Sequence, residues 1–133
     1  MHLDTPNFSF PTVPPVLSVH ALSPDSDSFL VDLTINTPMN PSCSVALKGF
    51  LDCGATGEFM HQNTAKLCSI PLIKLNHPVP LELFDGRPIS SGPVTHRTIP
   101  VLTHINNHEE SISYYIVSSS HNGIILGPFF PVR

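Results

Sequence analysis

The sequence predicts an all-β domain, a small closed barrel of about seven short strands with one short helix. Three observations predict it. Apolar residues recur at every second position in several short runs, the signature of half-buried strands. Turn-forming residues such as Asn36-Thr37-Pro38, Asp85-Gly86 and His121-Asn122-Gly123 separate those runs. The chain has 133 residues, 41% hydrophobic and only 12% charged, which suits a single domain with a real core.

Taken in order, residues 1–27 read as a linker. Pro6, Pro11, Pro14, Pro15 and Pro24 stand among Ser, Thr, Asn and Asp, and proline resists both helix and inner strand. The folded domain is expected over 28–127, with a short tail at 128–133. Phe29, Val31, Leu33 and Ile35 alternate with polar residues and predict a strand. A turn at 36–41 leads to a second strand over 43–51, and the two are expected to pair as a hairpin. Phe59 to Cys68 predicts a short helix, with Asn63 as a capping residue for its last turns. Ile70 to Leu75 runs into Pro78 and Pro80, which predicts an irregular or edge segment. Leu81 to Ile89 carries a hairpin signal, because Asp85-Gly86 supplies the positive φ of a tight turn. Strands are expected over 94–105 and 111–117, around a turn at Asn106-Asn107-His108. In the second strand, Ile112, Tyr114 and Ile116 alternate with Ser113, Tyr115 and Val117. Ile124-Ile125-Leu126-Gly127 predicts a final short, wholly apolar strand.

Composition excludes several functions. The formal net charge is -4 and the six Lys and Arg are scattered, so no basic stripe exists for nucleic acid. Three cysteines, Cys43, Cys53 and Cys68, without a C-x-x-C pair, argue against a disulfide framework or a zinc knuckle and for a reducing compartment. No signal peptide is visible, and no apolar run approaches the ~20 residues that span a bilayer. An intracellular, cytoplasmic setting without membrane contact is therefore expected. Low charge also leaves apolar surface for an oligomer face. His104 and His108 flank a turn rather than one helix face, and Glu109-Glu110 lacks the H-E-x-x-H spacing. They read as solvated histidines, and no metal or other cofactor is expected. No pattern beside Cys53 or Cys68 marks a thiol nucleophile, and both read as small apolar residues.

The chain is organised around Phe50-Leu51-Asp52-Cys53-Gly54-Ala55-Thr56-Gly57. Two apolar residues deliver an aspartate into a run of small residues, which places one carboxylate at the rim of a core. Such a carboxylate is costly unless hydrogen-bonded, paired or used. Two readings fit: Asp52 caps the turn, or Asp52 carries chemistry.

About 70 residues later comes Ile124-Ile125-Leu126-Gly127. Between them lie Leu83-Phe84-Asp85-Gly86-Arg87-Pro88 and Gly92-Pro93-Val94-Thr95-His96-Arg97-Thr98. In this order and spacing, over about residues 16–127, the chain resembles the retropepsin-like aspartic protease domain of gypsy-type LTR retrotransposons and of host genes derived from them. The resemblance implies that Asp52 is catalytic and that Cys53, Gly54, Ala55 and Thr56 form the rest of the active-site loop. It implies that Phe84, Asp85, Gly86 and Arg87 form a substrate-covering flap. Ile124, Ile125, Leu126 and Gly127 would support the loop from below.

Only one Asp-x-Gly triplet of this kind is present. The resemblance therefore implies one half of a two-fold homodimer, in which two copies of Asp52 activate a water and hydrolyse a peptide bond. The implied substrate is an extended peptide, in the family setting a Gag-Pol-type polyprotein. Two departures stand out. Cys53 occupies a position where the family carries Thr or Ser, and Pro128-Phe129-Phe130-Pro131-Val132-Arg133 replaces a Pro-Trp-Leu-like continuation. The first predicts a weaker active-site loop and the second a weak self-association. The alternative is a non-catalytic remnant kept as a folding, dimerisation or interaction module.

Overall fold

The computed structural model describes residues 13–19, 29–37, 40–52, 55–83, 92–118 and 124–127. Among them run β1 (Leu17–Val19), β2 (Phe29–Thr37), β3 (Asn40–Leu51), β4 (Phe59–His61) and α1 (Gln62–Leu67). They are followed by β5 (Leu72–Val79), β6 (Leu81–Leu83), β7 (Val94–Thr98), β8 (Val101–Ile105), β9 (His108–Ile112), β10 (Tyr115–Val117) and β11 (Ile124–Leu126). The domain is all-β with one short helix, as the alternating runs predict.

The strand count exceeds the expectation for two reasons. Strands of three residues, β1, β4 and β6, are too short to show a period. The run 94–105 is also cut in two at Ile99-Pro100, because proline has no N–H to give a ladder. The Asn106–Asn107 turn then joins β8 to β9, with Asn106 at φ 53°, the left-handed region that asparagine tolerates.

Nine of the described strands form one sheet in the order β5-β7-β10-β4-β11-β3-β2-β8-β9, and β1 and β6 form a separate pair. Among the described residues the ladder does not return on itself, so the sheet is open where a closed barrel was expected. Both edges have local causes. β5 carries Pro78, and its register with β7 shifts between Lys74 and Val79. β9 carries Glu109 and Glu110, charges that discourage further pairing.

Burial shows how the sheet is used. One apolar cluster gathers Leu33, Ile35, Met60, Ala65, Val101, Tyr114, Ile124 and Leu126 among others. A second gathers Leu17, Val19, Ala55, Phe59, Leu81, Val94, Tyr115, Val117 and Ile125 among others. Ile124 and Leu126 face the first cluster and Ile125 the second, so β11 is apolar at every position because both its faces are covered. The expected alternation at 112–117 slips by one residue. Ile112 and Tyr114 are buried, but so are Tyr115 and Val117, while Ile116 is half-buried. Hydrogen bonds across to Thr98 cause the slip. Tyr114 N–H donates to Thr98 Oγ1 (2.9 Å), and Thr98 N–H donates to Tyr114 O (2.8 Å).

Helix α1 starts only after β4. Its N-cap is His61, whose Nδ1 accepts from Asn63 N–H (3.0 Å), so Asn63 sits in the first turn and not near the end. The helix closes with Ser69 at φ 55°. Ser69 N–H donates to Lys66 O (3.2 Å) and Ile70 N–H to Ala65 O (2.9 Å), a Schellman arrangement that turns the chain into β5.

A strand also stands inside the stretch that proline content assigns to a linker. Pro14 and Pro15 are followed by Leu17 and Val19, both fully buried, each worth about 2 kcal/mol of apolar transfer. Proline predicts extended backbone correctly here, but the extended segment is docked. Among the described residues no helix is long and apolar enough to cross a membrane.

Candidate active site

The long strand β3 pairs along its length with β2 and ends at Leu51, which delivers Asp52. Residues 55–58 then lead into β4. β3 and β4 are not neighbours, because β11 lies between them, parallel to β3 and antiparallel to β4. Asp52 at the end of β3 and residues 55–58 before β4 therefore flank the end of β11. Asp52 N–H donates to Leu126 O (2.9 Å), and Asp52 O accepts from Ala55 N–H (3.1 Å). Asp52 is only 3% exposed, and Ala55 is buried too.

Gly127 explains why the loop can sit so close. A Cβ there would lie 2.9 Å from Gly57 O and 3.2 Å from Glu58 Oε2. Ile124, Ile125, Leu126 and Gly127 are all buried, and Leu126 and Gly127 lie against Asp52 and Gly57. Cys53 and Gly54, like Phe84, Asp85, Gly86 and Arg87, lie outside the described residues, as do 128–133.

The model of the PEG10/RTL1 protease domain matches residues 48–129, the span that runs from the end of β3 through β11. The chain belongs to that family. The retropepsin-like family expected from Asp52 and from Ile124-Ile125-Leu126-Gly127 is thus the one found. A solved structure, the retroviral protease-like domain of Ddi1 from Leishmania major, has the same fold. Its TM-score is 0.50 at 18% identity, over 77% of this chain and 74% of that one.

Three features of the domain's site were not read from the sequence. The first is a buried polar group beside Tyr115 of β10. Glu58 and Arg97 are both buried, and both act on the Tyr115 phenol. The Arg97 guanidinium carbon sits 5.0 Å from the Tyr115 ring centroid, and Arg97 Nε–H donates to Ser113 Oγ (3.2 Å). The Tyr115 ring also packs on Phe59, with centroids 5.7 Å apart, and on the backbone at Gly57. Burial lowers the Arg97 pKa, and the neighbouring Tyr115 opposes that. No local signal marks it, since the burial of Val94, Arg97 and Thr98 breaks the alternation only in the fold.

The second feature is the clip between Thr56 and Ser18. Ser18 N–H donates to Thr56 Oγ1 (2.9 Å), and Thr56 N–H donates to Ser18 O (3.0 Å). The third concerns cavities. A cleft of about 700 Å³ is bounded by Gln62, Lys66, Leu72, Gly92 and His96, and another of about 570 Å³ by Pro14, Pro15, Lys74, His77 and Arg97. Neither includes Asp52. What lies against the Asp52 loop is the strand β1.

The histidine pair is placed as a surface feature. His104 Nδ1 is 3.2 Å from Glu109 Oε2 and its Nε2 is 3.0 Å from Asn36 Oδ1, while His108 Nε2 is 3.3 Å from Glu110 Oε1. Cys68 is buried in the first cluster, and burial pushes its thiol above the ordinary 9.0.

Alkaline stability follows from these groups. The Tyr115 phenol is raised above its ordinary 10.0 by burial first and by Glu58, with Arg97 opposing. Both Cys68 and Tyr115 are raised on folding, so their contribution is full below the unfolded values of 9.0 and 10.0. It is lost as pH rises through the folded values, because the unfolded chain ionises first. The urea midpoint is expected to fall above pH 9, and less steeply in a Cys68→Ala, Tyr115→Phe double variant. Equal slopes would contradict this assignment.

Proposed function

We propose that the chain is one half of an aspartic endopeptidase, completed by a second copy across a two-fold axis. The observation that carries this reading is the position of Asp52, a residue only 3% exposed at the end of β3, bonded through its backbone to Leu126 of β11. Family membership supports it. One chain supplies one such loop, so the catalytic pair is Asp52 with its copy.

Two carboxylates about 3 Å apart cannot both be ionised cheaply, so the pair holds one proton between them. The ionised member takes a proton from a bound water as that water attacks the peptide carbonyl. The protonated member hydrogen-bonds the carbonyl oxygen, and a proton then passes to the leaving nitrogen. The pair titrates as a unit. The substrate is an extended peptide, and in the family setting a polyprotein. The test is cleavage of a peptide library at acidic and neutral pH, with inhibition by a statine-type transition-state analogue. Cleavage blocked by the analogue is expected, and no cleavage above background at either pH would overturn the reading.

Cys53 favours a second reading, a catalytically weak remnant kept as a folded module. A thiol is a weaker donor than the Thr or Ser hydroxyl of the family, at a cost of about 1 kcal/mol per lost hydroxyl bond, repeated in each copy. Cys53→Thr is therefore expected to tighten the dimer in sedimentation and to raise activity. An unchanged or weaker association would remove this account of position 53.

A further inference from the structure

Strand β1 lies where a peptide bound beside the Asp52 loop would lie. It belongs to neither edge of the nine-stranded sheet. One backbone edge of β1 is taken by Thr56, four residues after Asp52, through the two bonds to Ser18. The other runs parallel to β6 in the register Leu17↔Leu81, Ser18↔Glu82, Val19↔Leu83, and Leu17 N–H donates to Pro80 O (2.9 Å). Alternate side chains point one way. Leu17 and Val19 are fully buried in the cluster that includes Ala55, Phe59, Leu81, Val94 and Ile125, while Ser18 between them is half-buried. Backbone bonds along the strand with pockets for every second side chain are the way an extended peptide is recognised. Pro14 and Pro15 lead into the strand and favour an extended approach at low entropic cost.

We propose that the groove between the Asp52 loop and β6 is a peptide-binding groove, and that residues 17–19 of this chain occupy it as an intramolecular ligand. The ligand class is an extended peptide with two aliphatic side chains two residues apart and a small residue between them. A peptide in trans has to displace β1. This deepens the endopeptidase reading and rests on it for function, but its test is a binding measurement that needs no hydrolysis.

The probe is a fluorescein-labelled peptide with the sequence of residues 13–20, Val-Pro-Pro-Val-Leu-Ser-Val-His. Its binding is followed by anisotropy to the full chain, each form also carrying Asp52→Asn so that the probe survives. Three forms are compared: the chain with native β1, a Leu17→Ser, Val19→Ser form, and a Ser18→Pro form. A groove filled by its own strand nine-tenths of the time binds an outside peptide about tenfold more weakly than a vacated one. Tighter binding by about that factor in either released form is expected. The Ser18→Pro form keeps both aliphatic side chains, so it carries the test if the double substitution unfolds. Amide exchange at Leu17 and Ser18 supplies the second readout, and protection there should be lost in the released forms while β2, β3 and β11 stay protected. Binding no tighter in either folded form overturns the proposal. Tighter binding together with released forms that retain Asp52 and still cleave no peptide would leave the groove standing and remove the endopeptidase reading alone.

Discussion

Asp52→Asn is expected to lower peptide hydrolysis by about 10³-fold or more, roughly 4 kcal/mol of transition-state stabilisation. The amide matches the carboxylate in shape but can neither take a proton from water nor share one with its copy. The backbone contacts of the residue, to Leu126 O and from Ala55 N–H, do not depend on the side chain and remain. The substitution also removes the electrostatic conflict of two buried carboxylates, so dimer affinity should be kept or increased. Loss of activity with intact association is thus the expected signature, measured by peptide cleavage and sedimentation on one preparation. A variant that hydrolyses peptides at the native rate would show that Asp52 only caps its turn.

Gly127→Ala should have the largest effect on stability. The new methyl would meet Gly57 O at 2.9 Å and Glu58 Oε2 at 3.2 Å, and the first of these is backbone. Relief requires the loop over β11 to lift or β11 to withdraw. Overpacking of this kind costs about 1–3 kcal/mol. For a domain of this size that corresponds to a fall in Tm of roughly 3–12 °C, read by thermal unfolding. Activity should fall further than stability alone accounts for, because the displaced loop carries Asp52 and its bond to Leu126 O. An unchanged Tm would show that β11 does not support the loop in this way.

The strand that delivers Asp52 was legible because its causes are local. Phe50-Leu51 running into Asp52 and small residues marks a strand ending in a tight turn, and β3 ends there. Ile124-Ile125-Leu126 is apolar throughout because both its faces are covered. The β2–β3 hairpin was legible from strict alternation, although its second strand starts at Asn40 and not at 43. What was not legible depends on contacts distant in sequence. Nothing local says that Leu17 and Val19, beyond two prolines, dock beside Thr56. The one-residue slip at Tyr114-Tyr115 is set by Thr98, sixteen residues away from Tyr114. The burial of Glu58 and Arg97 is set by Tyr115 and the strands around it, and charge in a sequence reads by default as surface. Closure of the sheet was overestimated because a strand count does not reveal which ladders stop at Pro78 or at a charged edge.

The half-site claim is tested most directly by mixing. A fixed amount of native chain is incubated with increasing Asp52→Asn chain until subunits have exchanged, and peptide hydrolysis is then measured. If each catalytic pair needs one Asp52 from each of two copies, activity falls to about one half at an equal mixture and about one tenth at a ninefold excess. With the native chain held above the concentration at which sedimentation shows it fully dimeric, hydrolysis that stays constant as the variant is added would mean that each chain works alone, and the account of two aspartates sharing one proton would be wrong.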